Sequence, residues 1–480
     1  MTWDLNLAID PAASEPLFLQ IARAIAAAIA AGRIGAGDRL PGTRTLATTL
    51  DVHRNTAVAA YGELASQGWI DSARGSGTFV SAHLPDTSLP APVVAGVAVK
   101  PGYALGRAPR VSSSQPGDVL RLSAGVPDAR LIPAAAIARA VRRASRRTGI
   151  FNYGDPRGEV RLRAAVAEML ARSRGINAGP SDVAITRGSQ MAITIAARAL
   201  IRSGDVVAVE SLGYRPAWEA LRAAGAVLRP IALDRDGLDV GRLAALCARE
   251  SVRAVYLTPH HQYPTLATLP PGRRIELLAL ARRHRFAIIE DDYDNEYHYS
   301  GRPVLPLASS DAAGSVIYIG TLSKILAPAI RVGYAVAPRP VLDRMIAHRE
   351  VIDGSGDRLL ESAIAELFED GEVERHVWRT RRIYQARRQH AAAALERHLG
   401  DAVRFDCPKG GMALWIQVNP SIDIEAWAGS ALARGVHFET ARGYAFDRRS
   451  RPAFRLGFAA LSEGELERGV RTMAAALGDV

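Results

Sequence analysis

The chain has 480 residues, 48% of them hydrophobic and 23% charged, with a net charge of +11. A length of this order spans roughly two to four domains, and the composition is that of a globular protein rather than a disordered or fibrous one. Two cysteines, Cys247 and Cys407, exclude a disulfide framework, and both thiols are expected in the core.

The amino-terminal segment MTWDLNLAID has no basic start and no apolar stretch, so no secretion signal is expected. The apolar run IARAIAAAIA is short and broken by Arg23, which excludes a membrane span there; a cytoplasmic location is expected. Leu17 to Ala31 reads as an Ala-rich helix ending at Gly32. Thr43 is expected to cap a second helix running to Leu50, and Asp51-Val52 to turn into a third helix from about His53 to Gln67. The stretches WIDSA and TFVSA read as two strands around the hairpin Arg74-Gly75-Ser76-Gly77. Helix, helix-turn-helix and a two-stranded wing is the order of a DNA-reading winged helix, expected over residues 1–83.

Residues 84–118 are rich in Pro, Gly, Ser and Ala and read as an extended linker. From residue 119 onward short apolar runs alternate with helical stretches. The strand candidates are DVAIT, VVAVE, AVYLT, FAIIEDD, SVIYIG and VGYAVA. Continuous apolar strands between helices predict a mostly parallel sheet covered on both faces. The large part is expected over about 119–340 and a smaller α+β part over about 341–480, with strands at MALWIQV and AFRLGF.

The net charge does not single out the amino-terminal module. Six Arg face seven Asp or Glu through His83, whereas 51 basic and 40 acidic residues follow from Arg121. A DNA-binding role therefore rests on individual positions. Arg54 and Asn55 open the third helix, where they can reach a major groove, and Thr56 suits a phosphate. Arg44 lies on the preceding helix, and Arg74 with Gly75 forms the wing tip. The competing reading is that these Arg residues only solvate a helical domain.

Only three of the 60 basic residues are lysines: Lys100, Lys324 and Lys409. Arg stays protonated and cannot form a Schiff base, so a retained Lys points to a task that Arg cannot do. Lys324 follows a strand end, with Thr321 and Ser323 beside it and Arg331 seven residues on. Hydroxyls and an Arg suit a phosphate, and a primary amine suits an aldehyde. Asp291 and Tyr293 share a strand face, where a carboxylate could hold a pyridine nitrogen protonated and a phenol could reach the ring's oxygen.

Gly188-Ser189-Gln190, just before a helix, is either an anion cup or a simple N-cap. Tyr214 either stacks on a ring or fills the core. Arg455, inside an apolar strand, needs an anionic partner, either a ligand or an internal Asp or Glu. His260-His261 reads as a satisfied pair on a loop; the acidic and Tyr positions around Asp291 keep an acidic loop or a metal site as alternatives there, but no His/Cys ligand spacing supports a metal and none is expected.

The order of these features over most of residues 119–480 resembles the fold-type-I pyridoxal-phosphate aminotransferases. The resemblance implies Lys324 as the Schiff-base lysine, Asp291 as the pyridinium partner, Tyr293 at the 3-oxygen and Tyr214 on the ring. It implies Ser189, Gln190, Ser323 and Arg331 at the phosphate and Arg455 at a substrate carboxylate. Tyr153, in FNYGDPRG, resembles the tyrosine that reaches the partner subunit's phosphate in such dimers. Tyr263 and Leu266 depart from the family's Asn-Pro-Thr-Gly, and Ala329 stands where Gly is usual.

The amino-terminal motifs resemble the GntR winged helix, and the resemblance implies DNA contacts at Arg44, Arg54, Asn55, Thr56, Arg74 and Gly75. Both modules together resemble the MocR/GabR subgroup of GntR regulators. That resemblance implies a transcriptional regulator binding double-stranded DNA and pyridoxal 5′-phosphate as a domain-swapped head-to-tail homodimer. It implies sensing of a small amino compound by aldimine exchange at Lys324; no membrane association is expected, since no long uncharged apolar run is present. A working aminotransferase with a DNA-binding appendage, and a vitamin-B6 sensor responding to pyridoxal phosphate itself, are the alternatives.

Overall fold

The computed structural model describes residues 15–73, 77–85, 101–105, 119–122, 125–301 and 304–479, together with Leu7, 9–11 and Ala13 near the start. The expected wing-tip residues Arg74 and Gly75, Lys100 and most of the expected linker lie outside the described residues. The chain divides into two compact units, Met1–Gly106 and Arg107–Val480.

The first unit holds helices α1 (Leu17–Ala30), α2 (Thr43–Thr49) and α3 (Arg54–Ser66). Its sheet joins β1 (Arg39–Leu40), β2 (Ile70–Ala73) and β3 (Gly77–Val80), with β3 in the middle. Ile21, Ile25 and Ile29 of α1 fall on one helical face and are buried with Ala57, Ala60 and Leu64 of α3. Gly42, not Thr43, caps α2, because Thr43 already has helical geometry. Strand β1 escapes sequence patterning, since two residues carry no alternation.

In the second unit seven strands form one sheet: β4 (Val183–Thr186), β5 (Val206–Glu210), β6 (Val227–Ile231), β7 (Val252–Leu257), β8 (Ala287–Asp292), β9 (Val316–Thr321) and β10 (Gly333–Val336). Their order is β4-β10-β9-β8-β7-β5-β6. Only β10 runs antiparallel, to both of its neighbours. The central strands are mainly apolar because both faces are covered, as expected, with Arg253 in β7 and the acidic end Glu290-Asp291-Asp292 of β8 as the exceptions. Strand β6 has no such run. It carries Arg229 and Pro230, and Pro is tolerated there because β6 is an edge.

The smaller body packs a four-stranded sheet around Ala413–Val418 and Ala453–Gly457 against Glu372–Leu399 and Glu463–Leu477. It does not begin near residue 341. Ala363, Ile364, Leu367 and Phe368 pack with the large-part residues Ile185, Tyr318 and Tyr334, so the change of core falls within the long helix Glu372–Leu399. Cys247 is buried as expected, whereas Cys407 is exposed on the connection before Ala413–Val418.

Candidate cofactor pocket and DNA-reading surface

The carboxyl ends of the sheet strands deliver the candidate residues to one place. Strand β8 ends at Asp292 and carries Asp291 with Tyr293 just beyond; β9 ends at Thr321, so Ser323 and Lys324 follow at once. Strand β4 leads into the helix Gly188–Leu200. Gly188, Ser189 and Gln190 are thus the first residues of that helix, not residues before it. Amides of a first helical turn have no partner within the helix and can receive an anion.

Two glycines make this geometry possible. Gly188 has φ +73°. A Cβ on Gly333 would stand 2.6 Å from the Gly188 carbonyl carbon and 2.8 Å from the Ser189 nitrogen, so only glycine lets β10 pass this close.

A cavity of about 310 Å³ opens here, lined by Ser189, Tyr214, Asp291, Tyr293, Ser323, Lys324, Arg331 and Arg455, with Gly125, Thr258, Tyr263 and Thr321 among the others. Eight of the sequence-predicted residues therefore share one cavity. Gln190 does not join them; its side-chain amide donates to the Pro216 carbonyl at 2.9 Å. Tyr153 lies on the surface with 95% of its area exposed.

Inside the cavity, polar atoms are left without partners in a pattern. The Lys324 ammonium donates to the Gly125 carbonyl at 2.8 Å. Burial, then the neighbouring Arg455 charge, lowers its pKa to about 8, which makes it a usable nucleophile near neutral pH. Asp291 accepts from the Tyr256 hydroxyl at 2.7 Å, while its other oxygen, Oδ1, is buried and unpartnered. Burial raises Asp291 to about 7 despite that hydrogen bond. The Tyr293 hydroxyl and the Ser323 Oγ are likewise buried without partners.

Arg455 pairs in register with Trp415 and Glu439 on the neighbouring strands, yet no described carboxylate lies within ion-pair range of its guanidinium. Its Nε and Nη2 are buried without hydrogen-bond partners, and its charge sits 4.6 Å over the Tyr263 ring. Asp294 acts on Arg455 only from beyond ion-pair range, so the buried guanidinium has no direct anionic partner among the described residues. A Cβ on Gly125 would stand 2.7 Å from Arg455 Nη2, so a side chain there would displace the guanidinium.

These orphaned groups fit pyridoxal 5′-phosphate. An unpartnered carboxylate oxygen can take a ring N–H, a free phenol can donate to a ring oxygen, and Ser323, Ser189 and Arg331 can take a phosphate. Tyr214 stands at the wall, its ring edge-on to Tyr263 at 5.7 Å. Two contributors escape sequence reasoning. Tyr256 pairs across to Ile289, one same-face position before Asp291, a relation that exists only once β7 and β8 are in register. Gly125 precedes the first helix of the unit and had no motif to mark it. His260 departs from the expected satisfied pair: both of its ring nitrogens are buried and unpartnered.

In the first unit, Asp51 takes φ +51° and turns the chain into α3. The His53 ring nitrogen accepts from the Asn55 amide at 3.2 Å and caps α3. The Tyr61 hydroxyl donates to the Pro41 carbonyl at 2.8 Å, tying α3 to the start of α2. Arg44, Arg54 and Asn55 are exposed and Thr56 half-buried. Val58, also exposed, continues the Arg54 face of α3 and was not singled out from sequence, where a lone valine carries no signal.

Residues 117–473 match the family "Aminotransferase class I and II", and residues 17–80 match "Bacterial regulatory proteins, gntR family". The chain is 33% identical to the probable rhizopine catabolism regulatory protein MocR of Rhizobium meliloti, over 98% of this chain and 95% of that one. It is 31% identical to the pyridoxine biosynthesis transcriptional regulator PdxR of Corynebacterium glutamicum, over 81% of each chain. Among solved structures, a kynurenine aminotransferase from Pyrococcus horikoshii, in complex with PMP, aligns at TM-score 0.71 and 28% identity, over 76% of this chain and 91% of that one. Pyridoxal 5′-phosphate is the cofactor of the carboxyl-terminal domain. The chain belongs to the MocR-type transcriptional regulators, in which a GntR helix-turn-helix domain is joined to an aminotransferase class I and II domain.

Proposed function

We propose that this regulator senses a small amino compound carrying an acid group, and that capture of this compound at Lys324 changes its hold on DNA. The observation that carries the reading is the placing of Lys324 and Arg455 in one cavity, with Arg455 buried and no described carboxylate in ion-pair range of it. Pyridoxal phosphate supplies, when bound, an aldehyde that a primary amine can occupy covalently. Asp291 and Tyr293 hold the ring, Tyr214 covers it, and Ser189, Ser323 and Arg331 hold the phosphate. Gln190 assists only if its side chain turns from Pro216. Arg455 takes the effector's acid group and so selects amino acids over plain amines. Release of Lys324 from its covalent task is the local change that biases the protein between two states.

Arg54, Asn55 and Val58 read base edges in a major groove, and Arg44 and Thr56 hold phosphates. Exposure of Tyr153, beside Phe151 at 77% exposed, supports a homodimer in which Tyr153 reaches the partner's phosphate site. A head-to-tail, domain-swapped arrangement would present two winged helices to two half-sites.

Visible absorbance of the loaded protein, titrated with amino acids and with the matching amines that lack the acid group, tests the reading. Saturable, acid-dependent spectral change in the parent, absent in Lys324→Ala, is expected. A response to plain amines as strong as to amino acids overturns the role of Arg455. A second reading, a working aminotransferase, is favoured by the intact Lys324, Asp291 and Tyr256 set. Sustained turnover with an amino donor and a keto acid would select it.

A further inference from the structure

Three imidazoles meet outside the cofactor cavity. His260 and His261 follow strand β7, and His298 lies beyond the end of β8. Candidate ligand atoms of the three rings lie within 4.8 Å of one another. His260 is 3% exposed, and both its ring nitrogens lack partners. Half-buried His298 makes no well-formed ring hydrogen bond, and the Ser300 backbone is the polar group that acts on its ring. His261 Nδ1 lies 2.7 Å from Asp294 Oδ1. A carboxylate on one ring nitrogen fixes the tautomer and leaves the other, Nε2, as a lone-pair donor. A Cβ on Gly410 would stand 2.7 Å from that Nε2, so glycine keeps the space beside it clear.

A buried polar group without a partner costs free energy, and one side chain holds two such atoms here. Charges around the trio are mixed. Asp292 and Asp294 favour a cation near His260, whereas Arg274 opposes one. Arg274 is engaged by the carbonyls of Leu269, Leu305 and Pro259. Lys409 and Arg381 act against a cation from the His298 side.

We propose that His260, His261 and His298 bind a divalent transition-metal ion of the zinc class, with Asp294 supporting His261 from outside. Three imidazole nitrogens favour zinc, nickel or copper over magnesium and calcium, whose ligands are oxygens. The adjacency of His260 and His261 gave no ligand spacing in sequence, because the third donor arrives from the neighbouring strand. The bound ion joins the segment carrying Tyr263 to the segment carrying Asp291 and Tyr293, and so stiffens two walls of the cofactor cavity. It does not depend on which compound the cavity senses.

The test uses the full-length, tag-free protein loaded with pyridoxal phosphate and stripped with EDTA. Zinc is titrated in competition with a chromophoric chelator, and cobalt(II) is added separately to read its visible ligand-field bands by difference. One equivalent of zinc per chain is expected. His298→Gln and His260→Gln should each weaken it more than roughly tenfold, and Asp294→Asn by roughly 10–100-fold, as for other outer-sphere carboxylates. His83→Gln, outside the trio, should leave it unchanged. Retained cofactor absorbance shows that each variant is folded; His298 is only half-buried, so its variant decides the matter if His260→Gln does not fold. Zinc binding by the parent no tighter than by His298→Gln overturns the proposal and leaves the trio as a water-filled polar pocket.

Discussion

Tyr256 donates to one oxygen of Asp291 at 2.7 Å, and the other oxygen of Asp291 is left free in the wall of the Lys324 cavity. The hydrogen bond favours the charged carboxylate against a burial that raises it to about 7. Tyr256→Phe should push Asp291 higher and leave less carboxylate at neutral pH. A hydrogen bond to a charged group is worth about 1.5–3 kcal/mol, so cofactor affinity should fall by roughly tenfold or more. The loss should shrink as pH rises and Asp291 ionises again. Equilibrium dialysis of the cofactor between pH 6 and pH 9 checks both points; no loss at pH 6 contradicts them.

Lys324 should behave as an amine of pKa about 8, lowered by burial and by Arg455, rather than the ordinary value near 10.4. Its neutral form gains as pH rises through 8. Borohydride-trapped incorporation of pyridoxal phosphate into the cofactor-free chain should therefore rise with a midpoint near pH 8. Arg455→Gln removes one cause of the lowering, so its midpoint should move upward. In the cofactor-free protein the unfolded chain binds more protons at Lys324 between pH 8 and about 10.4, so this group's contribution to stability grows with pH across that window.

Gly125→Ala separates effector binding from cofactor binding. The added methyl would stand 2.7 Å from Arg455 Nη2 and displace the guanidinium. Cofactor absorbance should persist while the apparent affinity for an amino acid falls by about tenfold or more, the scale of one charged hydrogen bond. Equal affinity in parent and variant would show that Arg455 does not receive the acid group.

On the DNA side, Arg54→Ala should cost about 1–3 kcal/mol and relax base preference at one operator position. Arg44→Ala should weaken binding to all sequences and reduce the salt slope by about one unit. Fluorescence anisotropy over a salt series, with operator and scrambled DNA, separates the two. Tyr61→Phe removes the bond to Pro41 and should lower the stability of the first unit by about 1 kcal/mol without changing the salt slope.

How much of this was legible in the sequence followed the length scale of each signal. The three amino-terminal helices and the central strands β7, β8 and β9 are periodic or continuous in apolar residues, and they were readable within a residue or two. Lys324 was readable because lysine is scarce, and Asp291 with Tyr293 because a strand face repeats every two residues. Edge strand β6 was not, since Arg229 and Pro230 interrupt it. The border of the smaller body was not, since one long helix contributes to both cores. Tyr256, Gly125 and His298 were not, because each acquires its meaning from a neighbour on another strand or loop.

The central claim joins the cavity to the DNA. Operator affinity of the full-length protein is to be measured with and without the amino acid that changes its absorbance, beside Lys324→Ala and Arg455→Gln. The account predicts a several-fold change in the parent and none in Lys324→Ala, with Arg455→Gln needing far more effector. The same change in Lys324→Ala as in the parent would contradict it.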